Sequence, residues 1–372
     1  MKIIIIQGAF LPVPPLMGGA VEKMWFSLGK ELSKTGHEVI HISRKFDNLP
    51  EHEIIDGVKH VRIKGYSTPK SGLILKIMDL IYTVKVRKLL LTDFDIIVSN
   101  TFWSPLILQK RAVNSCFVDV QRMPKGQMKF YKNALCLRAN SNSVAEAIKA
   151  ELPSKYHNKV SMTPNPLPFI PKCDVDFSKK EQTILYTGRI HPEKGLDLLI
   201  AAYKKSTQNY KLQIIGPWET SMGGGGKDYL DSLKTLAEGV SIEFLEPIFD
   251  TEKLNDYYAK ASIFVYPSLA EKGETFGVAP LEAMSWGCVP IVSDLLCFKD
   301  FIKDGENGLV FDHRSDNAAG FMANCINAVA HDITLSTKLA NKAIQVRETH
   351  SIPNIANLFI KDFERLLPLK HE

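Results

Sequence analysis

The chain of 372 residues is short of cysteine, and the six it has, Cys116, Cys136, Cys173, Cys288, Cys297 and Cys325, include no C-x-x-C pair and no histidine nearby at metal-ligand spacing. That spacing argues against a disulfide framework and against a zinc site, and points to reduced thiols in a cytoplasmic protein. No G-x-G-x-x-G is present, which argues against a dinucleotide-binding dehydrogenase. There is no short-period repeat and no low-complexity tract. The apolar run Ile3 to Ile6 is closed at once by Gln7 and Gly8, too soon for a signal peptide and suited to a buried first strand.

What is present is the composition of a soluble globular enzyme, 45% hydrophobic and 23% charged, in a chain long enough for two domains with separate cores. The charge is unevenly placed. Residues 1–165 carry 24 Lys and Arg against 13 Asp and Glu, whereas the rest carries 22 against 28. A basic first half suggests an anionic partner, either an acidic membrane surface or a phosphate-bearing acceptor.

Short β-type runs alternate with helical patterns, which predicts parallel sheets wound on both faces. In the first half the strands are expected at 3–6, 37–42, 58–63, 95–99, 116–120, 135–140 and 160–163, and in the second at 183–187, 212–215, 241–245, 263–266, 289–293 and 308–311. The turn-rich stretch Pro164-Asn165-Pro166-Leu167-Pro168 sits where the charge balance changes sign and marks a boundary. The expected division is 1–165, 166–350 and a terminal segment 351–372. The segment 73–91 mixes Leu, Ile, Met and Val with Lys76, Lys85, Arg87 and Lys88. An ordinary packed helix with a solvated edge is the favoured reading, and a basic amphipathic helix lying on a bilayer the second.

The stretch Glu274-Thr275-Phe276-Gly277-Val278-Ala279-Pro280-Leu281-Glu282 reads as a strand-to-helix turn. Gly277 would let the backbone approach a ligand, and the amides before Pro280 would favour an anion such as a diphosphate. A carboxylate on each side suits a nucleotide sugar, which has hydroxyls at both ends. A plain dipole partner for Glu282 and a solvated Glu274 fit the same residues. On the loop 188–195, Arg189 and Lys194 are suited to neutralising a diphosphate as it leaves, whereas His191 reads as a loop residue. Gly18 and Gly19 before a helix make a second, weaker anion cradle. The run Gly223 to Gly226 could wrap a phosphate, with a plain flexible linker the favoured reading.

The spacing Glu-x7-Glu, with Phe-Gly after the first Glu and Glu-Ala-Met after the second, resembles the signature of the retaining glycosyltransferases of family 4. The Gly-Arg-x5-Gly sequence at 188–195 matches it too. The resemblance implies a GT-B fold, two doubly wound α/β Rossmann-like domains facing across a cleft, with the acceptor on the first domain, the nucleotide sugar on the second and the last helix crossing back to the first. It implies that Glu274 holds the donor sugar and supports catalysis with Arg189 and Lys194, and that Glu282 binds the ribose. Gly18, Gly19, Gly188, Phe276, Gly277 and Val278 would complete the donor site, with Ile248 in a loop against the base.

Many relatives carry a histidine about where Gln121 stands; this chain does not, so no histidine base is assigned there. Gln121, Arg122 and Lys125 are the acceptor-side candidates, the last two equally readable as solvated charges. The expected activity is retaining transfer of a hexose from a nucleotide sugar, UDP-glucose or similar, to a sugar or lipid-linked acceptor in polysaccharide synthesis. No cofactor, metal or nucleic acid is expected, and peripheral contact with the inner face of the membrane stays open. A GT-B nucleotide-sugar epimerase and a non-catalytic nucleotide-sugar binder remain as alternatives.

Overall fold

A computed structural model describes residues 1–90, 93–207 and 209–367. The chain divides into two compact units, one of Met1–Phe169 completed by the segment from His350, the other of Ile170–Thr349. The expected terminal segment runs on into residues 368–372, and the expected helix 73–91 ends on Leu91; those positions lie outside the described residues.

The first unit is built on the strands β1 (Lys2–Ile6), β2 (Glu38–Lys45), β3 (His52–Ile55), β4 (Val58–Lys64), β5 (Ile96–Ser99), β6 (Cys116–Val120), β7 (Cys136–Ala139) and β8 (Val160–Met162). They form one sheet in the order β3-β4-β2-β1-β5-β6-β7-β8. Every pairing is parallel except β3 with β4. The hairpin that makes β3 runs through Asp56 and Gly57, both at positive φ, 49° and 82°. It was not expected, and the Asp-Gly pair is the signal for it.

Helices α1 (Ala20–Lys34), α2 (Gly72–Leu89), α3 (Ser104–Ile107), α4 (Lys110–Asn114) and α5 (Asn142–Glu151) connect the strands, α5 capped by the Ser141 hydroxyl. Ile3, Ile5 and Ile6 are fully buried, as a strand covered on both faces must be.

The second unit alternates more regularly: β9 (Glu181–Thr187), α6 (Leu196–Lys205), β10 (Lys211–Ile215), α7 (Lys227–Leu236), β11 (Ile242–Leu245), α8 (Thr251–Lys260), β12 (Ala261–Tyr266), α9 (Val278–Ser285), β13 (Val289–Ser293) and β14 (Leu309–Phe311). Its sheet is parallel throughout, in the order β11-β10-β9-β12-β13-β14. Helices α10 (Ala318–His331), α11 (Ile333–Ala343) and α12 (Val346–Thr349) close the unit.

The chain then returns to the first unit through α13 (Ile352–Leu366), which packs on α1. Phe359 and Phe363 enter the core there, with ring centroids 5.9 and 5.1 Å from Phe117 and, for Phe359, 5.0 Å from Trp25. Asp362 on its other side accepts from the hydroxyls of Ser161 and Thr163 at 2.7 and 3.0 Å.

Candidate functional site

In the second sheet the strand order reverses between β9 and β12, so the loops leaving their carboxyl ends part and open a crevice. The loop after β9 begins with Gly188, whose N–H donates to the Ile215 carbonyl at the end of β10 at 3.0 Å. A Cβ on Gly216 would lie 1.8 Å from the Gly188 carbonyl oxygen, so the two backbones meet only because Gly216 has no side chain. Beside this contact is a cavity of about 290 Å³. Gly188 and Arg189 line it from β9, Pro217 from β10, Ile248 and Phe249 from β11, and Ala279 and Glu282 from α9.

Glu282 is held from below. The Tyr258 hydroxyl donates to its Oε2 at 3.0 Å and shares a 2.6 Å hydrogen bond with Thr187 Oγ1. Burial, and then the Glu282 charge, raise the Tyr258 phenol well above its ordinary range, so it stays a donor and fixes the carboxylate at the cavity wall.

A second cluster lies across the loops after β9 and β12. Gly195 is in the left-handed region, φ 66°, and a Cβ there would come within 2.3 Å of the Pro267 carbonyl oxygen. The Leu269 N–H donates to the Glu193 carbonyl at 2.8 Å, tying the two loops together. That closeness brings Lys194 Nζ to 2.6 Å from Glu274 Oε2, with the side chains only 8% and 11% exposed. The Lys194 ammonium also sits 5.1 Å from the centre of the Tyr266 ring, which stacks on Tyr186 beneath Gly188.

Arg189, half exposed, is not an idle cation. Its guanidinium donates to Glu193 and, at 2.6 Å, to the Gly223 carbonyl. His191 is a helix cap: its Nδ1 accepts from the Glu193 N–H at 3.3 Å.

The glycines of these loops have reasons of their own within the fold. Gly277 stands at φ 90°, and a Cβ would lie 2.4 Å from the Phe298 ring, so the residue is required by backbone conformation and by its neighbour's packing. Approach of a ligand is not needed to explain it. The run Gly223 to Gly226 is neither a flexible linker nor a phosphate wrap. All four N–H groups donate to carbonyls, of Thr220, Glu219, Ile190 and Trp218 in turn, at 2.8 to 3.1 Å. Phe276 is buried against Phe301, and Val278 opens α9, whose first-turn amides lack intrahelical partners by construction.

Gly18, Gly19, Gln121, Arg122 and Lys125 belong to the first unit. The Gly18 N–H is taken by the Pro15 carbonyl, and the Glu22 carboxylate lies against Gly19, where a Cβ would be 2.2 Å from its Oε2. A carboxylate of the protein, pushed up by burial, thus stands against the expected cradle.

Gln121 has partners within the first unit. Its amide donates to Asp119 at 2.9 Å and to Asn165 at 3.2 Å, and accepts from the Asn165 amide at 3.0 Å, so it is a node in the protein's own network. Asp119 in turn pairs with Arg138 at 2.6 Å, both side chains fully buried, and accepts from the Trp25 indole at 2.7 Å. Arg122 and Lys125 are exposed.

The structure therefore gathers Gly188, Arg189, Ile248 and Glu282 at one cavity and joins Lys194 to Glu274 beside it. Tyr258, Thr187 and Glu193 were not anticipated. Tyr258 meets Glu282, and Thr187 meets Tyr258, from other elements, which no local pattern marks, whereas Glu193 pairs with Arg189 four residues back on the same loop. Among the described residues no group of three or more His, Cys, Asp or Glu could hold a metal ion.

Residues 173–346 match the family model described as Glycosyl transferases group 1. The chain is 26% identical to an uncharacterized glycosyltransferase of Methanocaldococcus jannaschii, over 96% of each. Among solved structures it is similar to sucrose-phosphate synthase from Thermosynechococcus elongatus, with a TM-score of 0.76, 20% identity, and coverage of 98% of this chain and 99% of that one. It is also similar to the Anabaena protein HepE solved with UDP and glucose, with a TM-score of 0.67, 16% identity, and coverage of 98% and 100%.

Proposed function

From a chain whose residues 173–346 belong to the glycosyl transferases of group 1 and whose fold is GT-B, we propose a retaining hexosyltransferase that uses a nucleotide sugar, UDP-glucose or a close relative, and needs no metal. The observation that carries the reading is the joining of Lys194 to Glu274 beside the cavity that Arg189 and Glu282 line. At about 290 Å³ that cavity is at the lower edge of the range for whole ligands, roughly 300 to 1,000 Å³, and suits a nucleoside. Glu282, fixed by Tyr258, meets the ribose hydroxyls. Ile248 and Phe249 flank the base.

The bond that breaks joins the anomeric carbon to the diphosphate. Its departure leaves an oxocarbenium-like sugar and a nucleoside diphosphate with new negative charge, so fixed positive charge at the phosphates is the largest lever available. Arg189, Lys194 and the first-turn amides of α9 supply it without a metal. Lys194 also holds the Glu274 carboxylate in place to receive sugar hydroxyls. The first unit binds the acceptor, a sugar or lipid-linked oligosaccharide on a path to polysaccharide. HepE, solved with UDP and glucose, favours uridine and glucose as the donor parts.

The test is calorimetric titration with UDP. Glu282→Ala is expected to weaken binding roughly tenfold, the scale of hydrogen bonds to a charged group. Unchanged affinity removes the ribose assignment. Nucleotide release from UDP-glucose, measured with and without sugar acceptors, separates transfer from epimerisation and from binding without turnover.

A further inference from the structure

Helix α2 is turned the opposite way from an ordinary surface helix. Its buried side is formed by Asp79, Tyr82, Thr83 and Val86. Its outer side carries Leu73, Ile74, Ile77, Ile81 and Val84, which are 70%, 46%, 49%, 44% and 42% exposed. At 100° per residue those five side chains fall within an arc of roughly 100°, a stripe about 17 Å long. A soluble helix normally sends such a stripe to the core and its polar residues to water. The favoured expectation of a packed helix with a solvated edge fails on this point, because the solvated edge is the apolar one.

The charges around the stripe have one sign. Lys76, Arg87 and Lys88 are exposed, Lys85 is half exposed, and Lys70 precedes the helix. The only carboxylate of α2, Asp79, faces inward and accepts from the Phe102 N–H at 3.3 Å. Beside α2 the apolar surface continues. Lys76 lies over the Phe102 ring, and Phe102 packs edge-on against Tyr131, next to Phe130, which is 56% exposed between Lys129 and Lys132.

We infer that the outer face of α2, with the Phe130 tip beside it, docks on an anionic lipid surface: Leu73, Ile77, Ile81 and Val84 enter the headgroup boundary while the flanking lysines and arginine meet acidic headgroups. A helix lying in the interface needs this pairing of an apolar face with cations at its margins. Spanning is not involved, since no helix among the described residues is long and apolar enough to cross a membrane. A second copy of the chain fits worse, because its stripe brings cations against cations. The inference stands apart from the transfer reaction and uses none of its residues.

The test is sedimentation of the full chain with vesicles of phosphatidylcholine alone and of equimolar phosphatidylcholine and phosphatidylglycerol. Binding to the anionic vesicles is expected to exceed binding to the neutral ones by at least about tenfold and to fall as salt shortens the Debye length. Ile77→Glu combined with Ile81→Glu is expected to reduce anionic binding to the neutral level, with thermal unfolding unchanged because both side chains are exposed. Lys76→Glu with Lys88→Glu reads the same surface through charge alone and is expected to weaken anionic binding by a similar factor. Equal binding to both vesicle types overturns the inference, as does full binding by either double variant. So does a wild-type dimer in sedimentation velocity that Ile77→Glu with Ile81→Glu converts to monomer.

Discussion

Arg189 and Lys194 carry the same charge into the same site but sit in different surroundings, and their substitutions separate chemistry from folding. Arg189 is 41% exposed, and its pairing with Glu193 is of the surface kind, worth about 0 to 1 kcal/mol. Arg189→Ala is therefore expected to lower the transfer rate by about two orders of magnitude, the scale of a lost oxyanion donor, with little change in thermal unfolding. Lys194→Ala leaves Glu274 without its cation in a place water hardly reaches. It is expected to cost a similar factor in rate and, in addition, about 3 to 5 kcal/mol of stability. Turnover near wild type in both variants removes the assignment. Gly277→Ala is a test of conformation: with φ at 90° and Phe298 in the way, it is expected to lower the unfolding free energy by at least about 1 to 3 kcal/mol. An unchanged urea midpoint contradicts that. The sequence marks Gly277 through its motif while concealing why it is glycine, because the cause is a ring twenty-one positions further on. Glu274 and Lys194 were likewise legible as candidates, but their ion pair depends on Gly195 packing against Pro267, which no local pattern contains.

Strands β2 and β4 place His41 opposite His60, rings 5.3 Å apart and stacked, with 0% and 1% of the residues exposed. Among the described residues none of the four ring nitrogens has a hydrogen-bond partner. Burial, and then the nearby Arg62, bring His60 to about 4, with Glu53 opposing and Lys30 assisting; burial, His60 and Arg62 hold His41 well below its ordinary range. His350, also buried, is brought to about 4. The unfolded chain, with histidines near pH 6.5, binds these protons first, so stability is full above about pH 7 and falls as the pH drops toward 4. The slope approaches roughly 1.4 kcal/mol per pH unit for each histidine. Urea midpoints measured between neutral pH and about pH 5 are expected to fall, and a His41→Phe variant to flatten the profile; a level wild-type profile contradicts the account. At this scale the parallel strands were readable as apolar runs, whereas β3 was not, since Glu53 and His52 interrupt the pattern and only the Asp-Gly turn announces it.

The first unit is completed by residues from the end of the chain, and its core does not close without them. Ile355, Phe359 and Phe363 of α13 are fully buried there. At about 1.5 to 3 kcal/mol each, as an upper estimate, they supply an amount comparable with the roughly 5 to 15 kcal/mol that holds a whole domain. A fragment ending at Phe169 is expected to lack cooperative thermal unfolding, and a sharp transition in that fragment contradicts the role given to α13. The proline-rich stretch at 164–168 and the change of charge beside it fall a few residues before the division after Phe169. The return was only implied by resemblance, because an amphipathic helix does not say which face of which sheet it covers.

The two crossings between the units lie side by side, with the Leu167 N–H donating to the His350 carbonyl at 2.8 Å. Topologically, then, the second unit is a guest spliced into a host whose cut ends already touch. Excising residues 170–349 and bridging the gap with a few glycines leaves the host's backbone undisturbed at almost no loop-closure cost, so that shortened chain melts cooperatively where the plain fragment does not.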